Sequence, residues 1–287
     1  MKSIFILFLL FFSLSLSAQT YSELSEQAID CIEKDSLVRA EELLVQAMKL
    51  EPSNPHNALL FSNLGLVQKR LGRYDDALQS YTYALNIAPT AVPILLDRAA
   101  LYMEKGMTDR AYLDYCEALD ADKVNKEALL MRAYIYTIRR DYKAARADYD
   151  RLLEIDPKSY SGRLGLATLE QKEGKFREAL EVINKLLVEN PDDATLYVAR
   201  ADVEREMEHV ELAFVDLEQA IRLSPSLIDA YLLRGDIYLL QKKKGLAKTD
   251  FEKAISLGVP QSDLYERLKQ CNEKFPAYHY PSFLCIQ

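Results

Sequence analysis

From Ala58 to Gln261 the chain repeats one pattern of small and large residues every 34 positions, and this period constrains its fold more than any other feature. Six units begin at Ala58, Val92, Lys126, Tyr160, Ala194 and Ile228, and an earlier one begins at Tyr21, separated from the next by the short insertion Pro55 to Asn57. Counted within a unit, position 8 is Ala28, Gly65, Ala99, Ala133, Ala167, Ala201 or Gly235, and position 20 is alanine in all seven. Position 24 is large and apolar throughout (Leu44, Tyr81, Tyr115, Tyr149, Ile183, Leu217, Phe251). Small residues opposite large ones describe two facing helices: one over positions 1 to 14, a tight turn near Gly72, Gly106 or Gly174, and a second helix ended before Pro52, Pro89, Pro157, Pro191 or Pro225.

This spacing and residue set resemble the tetratricopeptide repeat. The resemblance covers Tyr21 to Gln261 and is strongest in FSNLGLVQKRLGRYDDALQSYTYALNIAP, from Phe61 to Pro89. It departs locally: Arg163 replaces an aromatic residue or leucine at position 4, and Glu204 and Glu208 replace an aromatic residue and glycine, which predicts a looser sixth unit. A pair of short helices cannot bury its apolar face alone, so stacked neighbours share a core and the last pair needs a cover. SDLYERLKQCNEKF, from Ser262 to Phe275, is suited to that place, with Leu264, Leu268 and Cys271 on one stripe. The expected fold is therefore all-α. The resemblance implies a right-handed α-solenoid of seven helix pairs over 21–261 with the first helices lining a concave groove; a C-terminal capping helix follows over 262–275, and an aromatic tail, 276–287, either docks on the last pair, the favoured expectation, or leaves the body as a short strand for a partner.

The first twenty residues, MKSIFILFLLFFSLSLSAQT, carry an early lysine, an apolar run and small residues at Ser15, Ser17 and Ala18. That is the form of a secretory signal peptide over residues 1–18. The apolar stretch from Ile4 to Leu16 falls short of the roughly 20 residues that span a bilayer. The mature protein is thus expected to be exported and not membrane-spanning, periplasmic if the cell is Gram-negative and otherwise secreted. Export exposes cysteines to oxidising conditions, and Cys271 and Cys285 bracket the tail; a bridge between them and a pair of free thiols both remain open.

The formal charge of -8 and the absence of a long basic run argue against nucleic acid as a partner. Only three histidines occur, His56, His209 and His279, in no metal-ligand spacing, and neither a glycine-rich phosphate loop nor a serine nucleophile elbow is present. No metal, no cofactor and no enzymatic activity are expected. The most conspicuous charges on apolar faces are arginines at position 7 (Arg98, Arg132, Arg200, Arg234), and the same four units alone carry aspartate at position 23 (Asp114, Asp148, Asp216, Asp250). Arginine and aspartate occur together or not at all, which predicts four ion pairs inside repeats rather than a ladder for anions.

A repeat scaffold without catalytic groups points to binding, and the resemblance implies a protein or peptide held in the groove. Positions 5, 9 and 12 of the first helices supply an apolar lane, with Leu66, Leu96, Met103, Leu130, Tyr134, Leu164, Val198 and Leu232 as the candidate contact residues. Lys69 and Arg70 flank it toward the amino end, and Asp202, Asp229 and Asp236 toward the carboxyl end, which suits a segment apolar in its middle and charged at its ends. The carboxylate clamp of the chaperone-binding members is missing, since Ser62 and Leu66 occupy two of its positions. The alternative reading is a glycan-binding or nutrient-uptake accessory protein of the envelope. It is weakened by the absence of tryptophan and by tyrosines such as Tyr102, Tyr115, Tyr136 and Tyr149 at core positions.

Overall fold

The computed structural model describes residues 19–272, which form two compact units divided between Ala128 and Leu129. Among the described residues there are fifteen α-helices, one 3₁₀ turn and no strand. The first unit holds three helix pairs: α1 (Tyr21–Glu33) with α2 (Leu37–Leu50), α3 (Asn57–Arg70) with α4 (Tyr74–Ile87), and α5 (Val92–Glu104) with α6 (Thr108–Ala121). α7 (Lys126–Ile138) begins just before the division and is followed by α8 (Tyr142–Ile155). The second unit continues with α9 (Tyr160–Lys172) and α10 (Phe176–Glu189), α11 (Ala194–Glu206) and α12 (Val210–Leu223), and α13 (Ile228–Leu240) and α14 (Lys244–Ser256). Within each unit the second helix of a pair packs on the first helix of the next, as in an α-solenoid.

The helix starts follow the sequence period. Six of the seven units open on the first residue of a helix, and α3 starts one residue early, at Asn57. Asn57 is buried because it ties down the insertion: its amide donates to the Glu51 carbonyl at 2.8 Å and its side-chain oxygen accepts from the Tyr21 hydroxyl at 3.2 Å. α1 is opened by a capping box in which Thr20 Oγ1 accepts from the Glu23 backbone and the Glu23 carboxylate accepts from the Thr20 backbone.

Position 15 closes every first helix in the left-handed region. Gly72, Gly106 and Gly174 lie there at φ +76°, +70° and +77°, and so do Asp35, Arg140, Glu208 and Lys242 at φ 56°, 60°, 63° and 61°. In each turn the next N–H donates back to the carbonyl at position 11, as from Arg73 to Gln68 and from His209 to Glu204, both at 2.8 Å. The glycines were visible in the sequence; the other four turns show that the hydrogen-bonded geometry prevails over the residue's own preference.

The small and large positions meet as expected. A Cβ placed on Gly235 would lie 2.6 Å from Phe251, and one on Gly65 would lie 2.8 Å from Tyr81, so only a small residue lets these helices approach. The cores are built accordingly: Leu24, Ala28, Leu44, Ala47 and Leu64 form one cluster in the first unit, and Ala167, Ala179, Ile183 and Leu196 form one in the second. The sixth unit, expected to be looser, keeps this architecture, with Glu204 buried and its carboxylate accepting from His209 Nδ1 at 2.7 Å.

Beyond α14 the capping segment opens as a 3₁₀ turn, Gln261–Leu264, which runs into α15 (Tyr265–Asn272). The tighter turn after Pro260 brings Leu264, 1% exposed, onto the cluster of Ala247, Phe251 and Ala254. The signal peptide expected at 1–18, the end of the expected capping helix at 273–275 and the tail at 276–287 lie outside the described residues. No helix among the described residues is long and apolar enough to cross a membrane.

Candidate functional site

The four arginines on the apolar faces are paired within their own repeats. Arg98 reaches Asp114 through Nε at 2.8 Å and Nη2 at 2.7 Å, and Arg132 reaches Asp148 at 2.7 and 2.8 Å. Arg200 and Asp216 meet at 2.7 and 2.6 Å, Arg234 and Asp250 at 2.9 and 2.7 Å. All four aspartates are buried, and the hydrogen bonds donated to Asp216 and Asp250 hold Arg200 and Arg234 above the usual guanidinium value. Two-pronged pairs of this kind bring each guanidinium and its carboxylate together as a unit, so the arginines are structural and offer no row of free cations. Where the pair is missing, other contacts replace it: in the second repeat Ser80 donates to Gln68 at 2.7 Å.

The candidate contact residues fall into two sets, one in each compact unit. In the first unit Leu66 is exposed on α3, while Leu96 and Met103 are half-buried on α5. In the second, Tyr134 is exposed, and Leu130, Leu164, Val198 and Leu232 are half-buried, each packed on one side against a core cluster. Within each unit these positions are thus partly core and partly surface.

One open cavity of about 710 Å³ lies on this face of the second unit, and it brings together α9, α11, α13 and α15. Val198, Leu232 and Leu239 form its apolar floor, and Leu240, 71% exposed, stands free at its edge. Of the residues singled out in the sequence, Val198 and Leu232 line this cavity, whereas Leu130, Tyr134 and Leu164 do not. The sequence reading missed Thr168, Lys172 and Gln270. Thr168 stands at position 9 of its unit, where a threonine gives no apolar signal, and Gln270 comes from the capping helix, outside the repeat period that marks the lane.

The flanking charges are largely neutralised. Lys69 pairs with Glu104, and Arg70 with Asp35 at 2.7 Å. In the second unit Asp202 accepts from Gln171 and Arg205 at 2.7 and 2.6 Å, and Asp236 accepts from Arg267 at 2.8 and 3.0 Å. Asp229, in the first turn of α13, and Lys172, in the last turn of α9, have no hydrogen bond or ion pair among the described residues, and both line the cavity. The cavity thus combines an apolar lining with one free carboxylate and one free ammonium.

Other titratable groups belong to the scaffold. Glu170 is buried, and burial raises it above the usual carboxylate range while Arg146, 3.6 Å away, works against that rise. Arg146 makes its short bond, 2.6 Å, to Glu173 instead. Cys31, Cys116 and Cys271 are half-buried, and burial raises the Cys271 thiol; Cys285 lies outside the described residues. Among the described residues no group of three or more His, Cys, Asp or Glu side chains is placed to hold a metal ion.

Comparison with known proteins gives one family. Models of the tetratricopeptide repeat match residues 58–91, 96–160, 136–202 and 228–257, together more than half of the chain. A tetratricopeptide repeat protein from Parabacteroides merdae ATCC 43184, known from a crystal structure, is 40% identical, with a TM-score of 0.83 over 88% of this chain and 99% of its own. YrrB, described as a tetratricopeptide repeat protein with an unusual peptide-binding site, shares the fold at 20% identity and a TM-score of 0.52, over 65% of this chain and 95% of its own. The human DnaJ homolog subfamily C member 7 is 34% identical over 76 residues, which are 26% of this chain and only 15% of that relative's length.

Proposed function

The chain belongs to the tetratricopeptide repeat family, and from that membership we propose that it is a non-catalytic interaction scaffold of the cell envelope that holds a partly apolar protein segment against its first helices. The observation that carries this reading is the cavity on α9, α11 and α13, with its apolar floor between the unpartnered Lys172 and Asp229. Its volume of about 710 Å³ suits several side chains of an extended peptide, and the peptide-binding site of YrrB is a precedent for such use of this fold. The segment carries apolar residues in its middle, a basic residue opposite Asp229 and an acidic one opposite Lys172. Apolar burial contributes roughly 25 cal/mol for each square ångström removed from water. Export rests on the amino-terminal sequence: the apolar run and the small residues before Gln19 direct the chain across a membrane and are then removed.

Site-specific photocrosslinking tests the reading in the envelope fraction of the native cell. A photoreactive residue at Leu240, on the cavity edge, is compared with one at Val188, 84% exposed on the second helix α10. The expected result is a discrete protein adduct from Leu240 and none from Val188. Equal adducts from both positions, or none from Leu240, would refute groove binding, and a full-length chain retained in the cytoplasm would refute export.

A further inference from the structure

The last two second helices, α12 and α14, carry a surface that packing within the solenoid does not call for. Position 19 of the repeat, one residue before the alanine common to all seven units, is turned to solvent on the second helix: it is Arg39, Asp76, Arg110 and Glu178 in four of the units, all exposed. In the last two units it is leucine. Leu212 on α12 is 54% exposed and Leu246 on α14 is 51% exposed, and Val215, one turn along from Leu212, is 60% exposed. A position that accepts arginine, aspartate or glutamate elsewhere does not need leucine for folding. Two consecutive second helices that both expose one form a shared apolar stripe rather than scattered single residues.

The charges beside the stripe have opposite signs on the two helices. Exposed Glu208 and Glu211 stand at the start of α12, whereas α14 follows Lys242 and Lys243 and has Lys244 as its first residue. Position 15 shows the contrast in one register: Glu208 before α12 and Lys242 before α14, both exposed and both left-handed, at φ 63° and 61°. Such a face is complementary to itself. α12 and α14 are the second helices of consecutive pairs and run in the same direction, so a two-fold axis parallel to them and midway between them lays α12 of one copy along α14 of the other in register. Glu208 then meets Lys242 and Leu212 meets Leu246, each contact being made twice. Glu218 falls opposite Glu252 in this register, and Lys248, 3.9 Å from Glu252, offsets that juxtaposition. We propose that this face joins two copies of the chain in a symmetric dimer, with Leu212, Val215 and Leu246 at its centre and the glutamates and lysines at its rim. The interface lies on second helices, whereas the cavity described above lies on first helices, so the two surfaces are independent.

Sedimentation equilibrium of the mature protein over a range of concentrations tests this. Wild type is expected to pass from one chain to two as concentration rises, and added salt is expected to weaken the dimer by screening its rim. Glu208→Lys and Lys242→Glu each install the residue that the other unit already holds at position 15, so the turn is kept. Each alone sets like charges against each other and is expected to weaken self-association about tenfold or more. An equimolar mixture of the two is expected to form a mixed dimer of wild-type strength, because every position-15 contact between them is again lysine against glutamate. Leu212→Glu, which copies Glu178 of the fifth unit, is expected to abolish the dimer at unchanged helicity. A wild type that stays monomeric at every concentration would overturn the proposal and leave the stripe to a different protein. So would a dimer that Leu212→Glu leaves intact, or a mixture of the two charge variants that associates no better than either alone.

Discussion

Arg132 and Asp148 bind each other by two parallel hydrogen bonds across α7 and α8, at 2.7 and 2.8 Å, with Asp148 buried and the guanidinium carbon 5.9 Å from the centre of the Tyr136 ring. The pair costs desolvation to form and adds little over a packed apolar pair, but either member alone is a buried charge without its partner. Arg132→Leu or Asp148→Val is expected to cost about 3 kcal/mol each, whereas the double variant, which places apolar residues at both positions as Leu166 and Val182 do in the fifth repeat, recovers most of the loss. Denaturant melts of the four proteins check this; additive losses would contradict it.

The left-handed turns give a second test. A Cβ at Gly106 meets nothing within 4 Å, so Gly106→Ala carries only the backbone cost of φ +70°, about 1 kcal/mol. Glu208 already bears that cost at φ 63°, and Glu208→Gly is expected to offset it in part. Opposite signs in thermal melts of the two variants are the expected outcome.

Burial and acidity are linked at Glu170. Its folded value is raised, so the folded state binds the proton more tightly than the unfolded chain. The contribution to stability is therefore full below the unfolded value and is lost as pH rises through the folded one. Glu173, whose bonds to Lys175 and Arg146 outweigh its desolvation and lower it, contributes in the opposite sense, losing stability as pH falls through its folded value. Glu170→Gln, which cannot ionise, is expected to raise the melting temperature at pH 7 relative to wild type, with the difference shrinking toward pH 4. A difference independent of pH would exclude Glu170 as the source.

The repeat was legible because the requirement for a small residue opposite a large one recurs at fixed spacing, as at Gly235 and Phe251. The ion pairs were legible because arginine and aspartate occur only together. The turns at Asp35, Arg140, Glu208 and Lys242 were not, since the left-handed conformation is imposed by hydrogen bonds to the preceding helix and leaves no glycine behind. The cavity was legible only in part. Val198 and Leu232 follow from position 5, but whether a flanking charge is free depends on distant partners: Arg267 of the cap neutralises Asp236 and leaves Asp229 as the unpaired carboxylate.

The most direct measurement concerns the cavity edge, where side chains do not hold the core. Leu240 and Asp229 are exposed, so Leu240→Asp combined with Asp229→Lys leaves folding intact while removing the apolar edge and reversing the free charge. Titration calorimetry with the segment identified by crosslinking is expected to show binding weakened about a hundredfold or more, about 2.7 kcal/mol, at an unchanged melting temperature. Wild-type affinity in the folded double variant would contradict binding at this face.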